Sequence, residues 1–111
     1  MQITTTARHF ELTPALKDHI EERLSKLTKY FDQLIRSHVT LSVQKHEHMA
    51  EISLHGSNVD LNGRGKSEDM YVSVDLAVDK LERQLRKFKE KIRIHKGRTS
   101  LSEELSDQSE E

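Results

Sequence analysis

Between Asp69 and Lys96, Met70, Val74, Ala77, Val78, Leu81, Leu85, Phe88 and Ile92 recur at steps of three and four. That spacing gathers side chains onto one stripe of an α-helix, so the segment is predicted to be helical and covered along that stripe. Turning it at about 100° per residue places Lys80, Arg83, Lys87 and Lys91 together on the side away from the stripe. Arg86, Lys89 and Arg93 form a second ridge beside them. From Lys80 to Arg98 nine basic residues stand against two acidic ones, Glu82 and Glu90. The predicted element is a buried helix with a cationic back.

The rest of the chain alternates between the same period and a period of two. Gln2 to Arg8 is rich in β-branched residues, with Ile3, Thr5 and Ala7 on one face, and reads as a strand. Thr13 before Pro14 is the arrangement of an N-cap followed by a proline at the first helical position. The helix that starts there has the stripe Leu16, Ile20, Leu24, Leu27 and Phe31, a flanking basic row of Arg23, Lys26 and Lys29, and an expected end between Tyr30 and Gln33. From Ile35 to Lys45, Val39, Leu41 and Val43 alternate with polar residues in a half-buried strand. His46-Glu47-His48 is read as a turn, Ala50, Ile52 and Leu54 as the inward face of a third strand, and Gly56-Ser57-Asn58 as the next turn. Val59 and Leu61 open a fourth strand through Gly63 and Gly65, where missing side chains point to a bulge, a bend or close approach of another backbone. Glu68 and Asp69 place negative charge at the start of the long helix, where its dipole favours it.

The resulting order is β-α-β-β-β-α. The first crossover requires a right-handed connection and a parallel pair, and the short turns require antiparallel hairpins. Each strand has one apolar face and there are two helical stripes to cover it. The expected fold is an α/β two-layer sandwich: a four-stranded mixed sheet with both helices on one face.

Composition narrows the function. The chain has 111 residues, 33% hydrophobic and 33% charged, with five aromatics and no Trp, enough for one modest core. No Cys is present, which removes disulfides, thiolate metal sites and cysteine nucleophiles. No signal peptide or membrane-length apolar run is recognisable, and a cytoplasmic protein with no membrane partner is expected. The formal charge of -1 conceals a segregation. Residues 99–111 carry five acids and no base, leaving 18 basic and 14 acidic residues in the first 98. Residues 1–98 are therefore read as a basic domain, and 99–111 as a disordered acidic tail.

Several chemistries fail on their own requirements. Gly65-Lys66-Ser67 ends like a phosphate-binding loop, but Asp60 stands where the first glycine belongs. His46 and His48, with His38 or His55, fall short of the ligand set and supporting contacts that a metal site needs. No nucleophile, acid and base combination stands out, so neither enzyme activity nor a cofactor is expected. Asp79 with Arg83, and Glu82 with Arg86, are spaced as i,i+4 pairs supporting an exposed helix. The basic rows are the feature with a function: on adjacent helices they are expected to form a groove for a phosphate backbone, where affinity comes from counterion release. With Tyr30 and Tyr71 the only aromatics placed for stacking, recognition is expected to be of shape and phosphate. Val72 and Leu76 fall on the outward side of the long helix, and the pattern offers no account of them.

Gln2-Ile3-Thr4, Leu12-Thr13-Pro14-Ala15-Leu16, Lys29-Tyr30-Phe31-Asp32, Glu68-Asp69-Met70-Tyr71 and Asp79-Lys80-Leu81-Glu82-Arg83-Gln84-Leu85 together resemble the ribosome hibernation promoting factor family, which includes ribosome-associated inhibitor A. The resemblance covers residues 1 to 96 and implies a β-α-β-β-β-α fold similar to double-stranded-RNA-binding domains. It further implies a stationary-phase or stress protein that occupies the messenger and tRNA channel of the small ribosomal subunit and inhibits translation by occlusion. The rRNA-binding residues it implies are Arg23, Lys26 and Lys29 of the first helix and Lys80, Arg83, Arg86, Lys87, Lys89 and Lys91 of the second. Without the C-terminal dimerisation domain of long family members, the chain is expected to be a short form, monomeric off the ribosome. Short forms act with ribosome modulation factor to make ribosome dimers; ribosome-associated inhibitor A instead holds inactive monomers and has a longer tail. Lys29-Tyr30-Phe31-Asp32 resembles the former and the long acidic tail the latter. A general double-stranded-RNA-binding module is a further alternative.

Overall fold

A computed structural model describes the backbone of residues 1–97 and the side chains of residues 1–91. The expected tail therefore lies outside the described residues. The elements are β1 (Gln2–Arg8), α1 (Pro14–Tyr30), β2 (Leu34–Gln44), β3 (Glu47–Gly56), β4 (Val59–Ser67) and α2 (Met70–Gly97). The sheet order follows the chain, β1-β2-β3-β4. β1 runs parallel to β2, and the two hairpins are antiparallel, the mixed sheet that the connection lengths require.

Register explains why one face is covered. Ile3, Ser37, Leu54 and Leu61 form one row across the four strands; Thr5, Val39, Ile52 and Gly63 form the next, and Ala7, Leu41, Ala50 and Gly65 a third. Val39, Leu41, Ala50, Ile52 and Leu54 are buried, and they share one core with Leu16, Ile20, Leu24 and Leu27 of α1 and Val74, Ala77, Val78, Leu81 and Leu85 of α2. The alternate residues, among them Thr4, Thr6, His38, Ser53 and Arg64, form the uncovered face, because successive side chains of a strand point to opposite sides.

α1 begins as its sequence dictates. Thr13 is extended, and its Oγ1 accepts a hydrogen bond from the Leu16 amide at 3.2 Å. Asp69 caps α2 in the same way, its Oδ1 accepting from the Tyr71 amide at 2.9 Å, so the acid stands just before the first turn rather than within it. Gly63 and Gly65 mark close approach, not a bulge. A Cβ on Gly63 would lie 2.7 Å from the Ala77 carbonyl oxygen, and one on Gly65 would collide with the Ser73 carbonyl oxygen and stand 2.9 Å from the Ala77 amide. α2 lies directly on β4 through these gaps.

Both turns are tighter than their composition suggests. Lys45 and His46 alone turn the first hairpin, with Lys45 at φ 57°, and Ser57 and Asn58 the second, with Asn58 at φ 61°. Glu47, His48 and Gly56 belong to β3, where Glu47 pairs with Gln44, His48 with Val43 and Gly56 with Val59. The strand register also separates the histidines. His48 is on the covered side of β3 and His55 on the other, where it pairs with Asp60 at 2.9 Å. Among the described residues no three metal-ligating side chains converge.

Candidate nucleic-acid interface

The nine basic residues expected to bind rRNA occupy two different kinds of position. Lys26, Lys29, Arg83, Lys87 and Lys91 are exposed and have no ion-pair or hydrogen-bond partner among the described residues. Arg83, Lys87 and Lys91 follow one another at four-residue steps, a single row along the back of α2. Successive residues of such a row stand about 6 Å apart along the backbone axis, since a helix rises about 1.5 Å per residue.

The other four are engaged within the protein. Lys80 Nζ donates to the Arg64 carbonyl oxygen at 2.7 Å, and next to it Gln84 donates to the Asn62 carbonyl oxygen at 2.8 Å. β4 is an edge strand, so these bonds occupy backbone acceptors that would otherwise template a further strand. Arg86 pairs with Glu82 at 3.0 Å, the expected i,i+4 pair.

Arg23 is not a flanking cation. Its Nη2 donates to Asp79 Oδ1 at 2.8 Å, and its Nε lies 3.1 Å from Asp75 Oδ1. The buried Nε–H is not aimed at that carboxylate, so the second contact is electrostatic rather than a hydrogen bond. Asp75 also takes His19 Nε2 at 2.8 Å, and the His19 ring meets Tyr71 edge-on at 5.1 Å. This corrects two expectations. Asp79 pairs with Arg23 across the helices instead of with Arg83 along its own, because Arg23 is only 26% exposed there and a carboxylate offsets its desolvation. The seam between α1 and α2 is filled by this network at its N-terminal end, so it is not an open basic groove.

At the other end Lys89 Nζ donates to the Tyr30 carbonyl oxygen at 3.1 Å and sits 4.4 Å from the centre of the Tyr30 ring. Phe31 and Phe88 pack edge to face below it, centroids 5.6 Å apart at 82°. Tyr30 is therefore a helix-joining residue. Tyr71, Val72 and Leu76 are 39%, 44% and 40% exposed. Val72 and Leu76 continue the line of the basic row toward the N-terminus of α2.

No helix of the described residues is long and apolar enough to cross a membrane. The two helices pack on the sheet on one side, and on the other α2 carries Arg83, Lys87 and Lys91, which have no ion-pair partner among the described residues.

Comparison with known proteins agrees with the fold and sequence. Residues 3–93 match the family described as sigma 54 modulation protein / S30EA ribosomal protein. The chain is 35% identical over 95 residues to the ribosome hibernation promoting factor of Klebsiella oxytoca, covering 86% of this chain and all of that one. It is 38% identical over 91 residues to that of Azotobacter vinelandii, covering 82% and 85%. It is 37% identical to the ribosome hibernation promotion factor of Bacillus subtilis, but spans 50% of that longer protein. A ribosomal subunit interface protein from Coxiella burnetii superposes with a TM-score of 0.76 at 29% identity, covering 81% of this chain and 99% of that one. The N-terminal domain of Thermus thermophilus Protein Y superposes at 0.74 and 31%, covering 79% and 99%. With a family match across most of its length and these relatives, the chain belongs to the ribosome hibernation promoting factor family of ribosome-associated proteins.

Proposed function

We propose that this protein binds rRNA of the small ribosomal subunit through the cationic backs of α2 and α1, occupies the channel used by messenger RNA and the A-site and P-site tRNAs, and so holds ribosomes idle. The observation that carries the reading is that Arg83, Lys87 and Lys91 in one row of α2, and Lys26 and Lys29 of α1, are exposed and have no ion-pair or hydrogen-bond partner among the described residues. Unpaired cations at helical spacing neutralise phosphates and release counterions, and need no base-specific contact. The mechanism is occlusion by a rigid wedge, and no bond is made or broken. Ribosome modulation factor is the co-acting protein on this reading, and ribosome dimers are the product.

Sucrose-gradient sedimentation of ribosomes with the pure protein, with and without ribosome modulation factor, tests both parts. Travel with the small subunit and an increase in dimers support the proposal. Travel with ribosomes but fewer dimers favours the ribosome-associated inhibitor A type, whose long tail this chain resembles. Protein left at the top of the gradient overturns it. Changing Arg83, Lys87 and Lys91 together to Glu is expected to abolish co-sedimentation while the protein still unfolds in one cooperative transition, since all three are exposed and none has an ion-pair or hydrogen-bond partner among the described residues.

A further inference from the structure

We infer that Arg23 and Lys89 are positioning residues that clamp α1 to α2, and that the phosphate path runs beside the helix seam along the outer row of α2 rather than within the seam. The inference rests on the RNA-binding reading and divides its basic residues by role. At the N-terminal end Arg23 lies between two carboxylates of α2, hydrogen-bonded to Asp79 at 2.8 Å and in electrostatic contact with Asp75 at 3.1 Å, and His19 Nε2 stands at hydrogen-bond distance from Asp75, 2.8 Å. One guanidinium between two carboxylates leaves that spot without surplus positive charge. A phosphate brought to Arg23 would meet Asp75 and Asp79 first, and like charges at contact distance oppose each other.

The C-terminal end is closed by different chemistry. Lys89 Nζ bonds the carbonyl oxygen of Tyr30, the last residue of α1, at 3.1 Å, and lies over the ring of the same residue. A cation at that carbonyl satisfies one of the acceptors a helix leaves free at its C-terminus and complements the negative end of the dipole. The two clamps hold α1 at both ends, which sets the position of Lys26 and Lys29 relative to Arg83, Lys87 and Lys91. A two-row electrostatic surface is selective for a backbone shape only if its rows keep their spacing.

Salt titration of binding to purified small subunits separates the roles. Lys87→Gln is expected to reduce the dependence of log K on log salt by about 0.7 to 0.9, the loss of one neutralised phosphate. Arg23→Gln is expected to leave that slope unchanged while lowering the melting temperature. A thermal cycle that does not involve RNA reads the clamp itself: Arg23→Gln and Asp79→Asn together should lower the melting temperature by about 2 °C less than the sum of the single changes. A slope that falls in Arg23→Gln as it does in Lys87→Gln, or additive thermal shifts, overturns the inference. Wild-type protein that fails to bind subunits overturns the proposed function and the phosphate path with it, and the thermal cycle then still reports on the clamp.

Discussion

At the scale of single residues, the chain shows how little the type of a charged side chain says about its use. Lys80 and Lys87 are two turns apart on one face of α2, yet Lys80 is spent on the Arg64 carbonyl of the β4 edge while Lys87 has no partner among the described residues. Gly65 shows the converse, that a missing side chain can be indispensable. Its Cα faces the backbone of α2 at Ser73 and Ala77, and neither can yield as a flexible side chain would. Gly65→Ala is therefore expected to destabilise the fold by about 2–3 kcal/mol, the scale of overpacking in a tight core. Chemical denaturation measures it; a loss under about 0.5 kcal/mol, the range of ordinary surface substitutions, would show that α2 moves off β4 freely.

At the scale of elements, start signals and apolar stripes were legible and turn lengths less so. Thr13-Pro14 announces α1, and the Thr13 cap is where it was expected. Thr13→Ala removes the acceptor for the Leu16 amide and is expected to cost about 1 kcal/mol, read as a lowered midpoint at unchanged denaturant slope. The stripes of α1 and α2 and the strand alternation were legible because burial on one face imposes a period that no local feature mimics. The turns were read too wide because His46, Glu47, His48 and Gly56 are residues that turns accept, while strand length is decided by the partner's register.

At the scale of the whole molecule, charge is segregated between a basic body and an acidic end. Residues 99–111 carry five acids, and we propose that these carboxylates compete with phosphate for the cationic row. A chain ending at Arg98 is expected to bind small subunits more tightly at 50 mM salt, with the advantage shrinking as salt rises and the Debye length falls below about 10 Å. Equal affinity at low salt would place the action of those residues elsewhere.

The sequence by itself determined the order β-α-β-β-β-α, the mixed sheet, the two covering helices and the row Arg83, Lys87 and Lys91 along α2. Each of these follows from local capping, from a period of 2 or 3.6, or from connection length, all of which are written in short stretches of chain. The tertiary structure alone decided which cations are free. Arg23 meets Asp75 and Asp79 across 52 and 56 positions of sequence, and Lys89 meets Tyr30 across 59. Side chains so far apart in the chain are brought together by the packing of both helices on one sheet face, and no spacing rule within either helix encodes the meeting. The same packing turned Gly63 and Gly65 from weak points of a strand into the seats of α2, because only the folded arrangement brings another backbone against them.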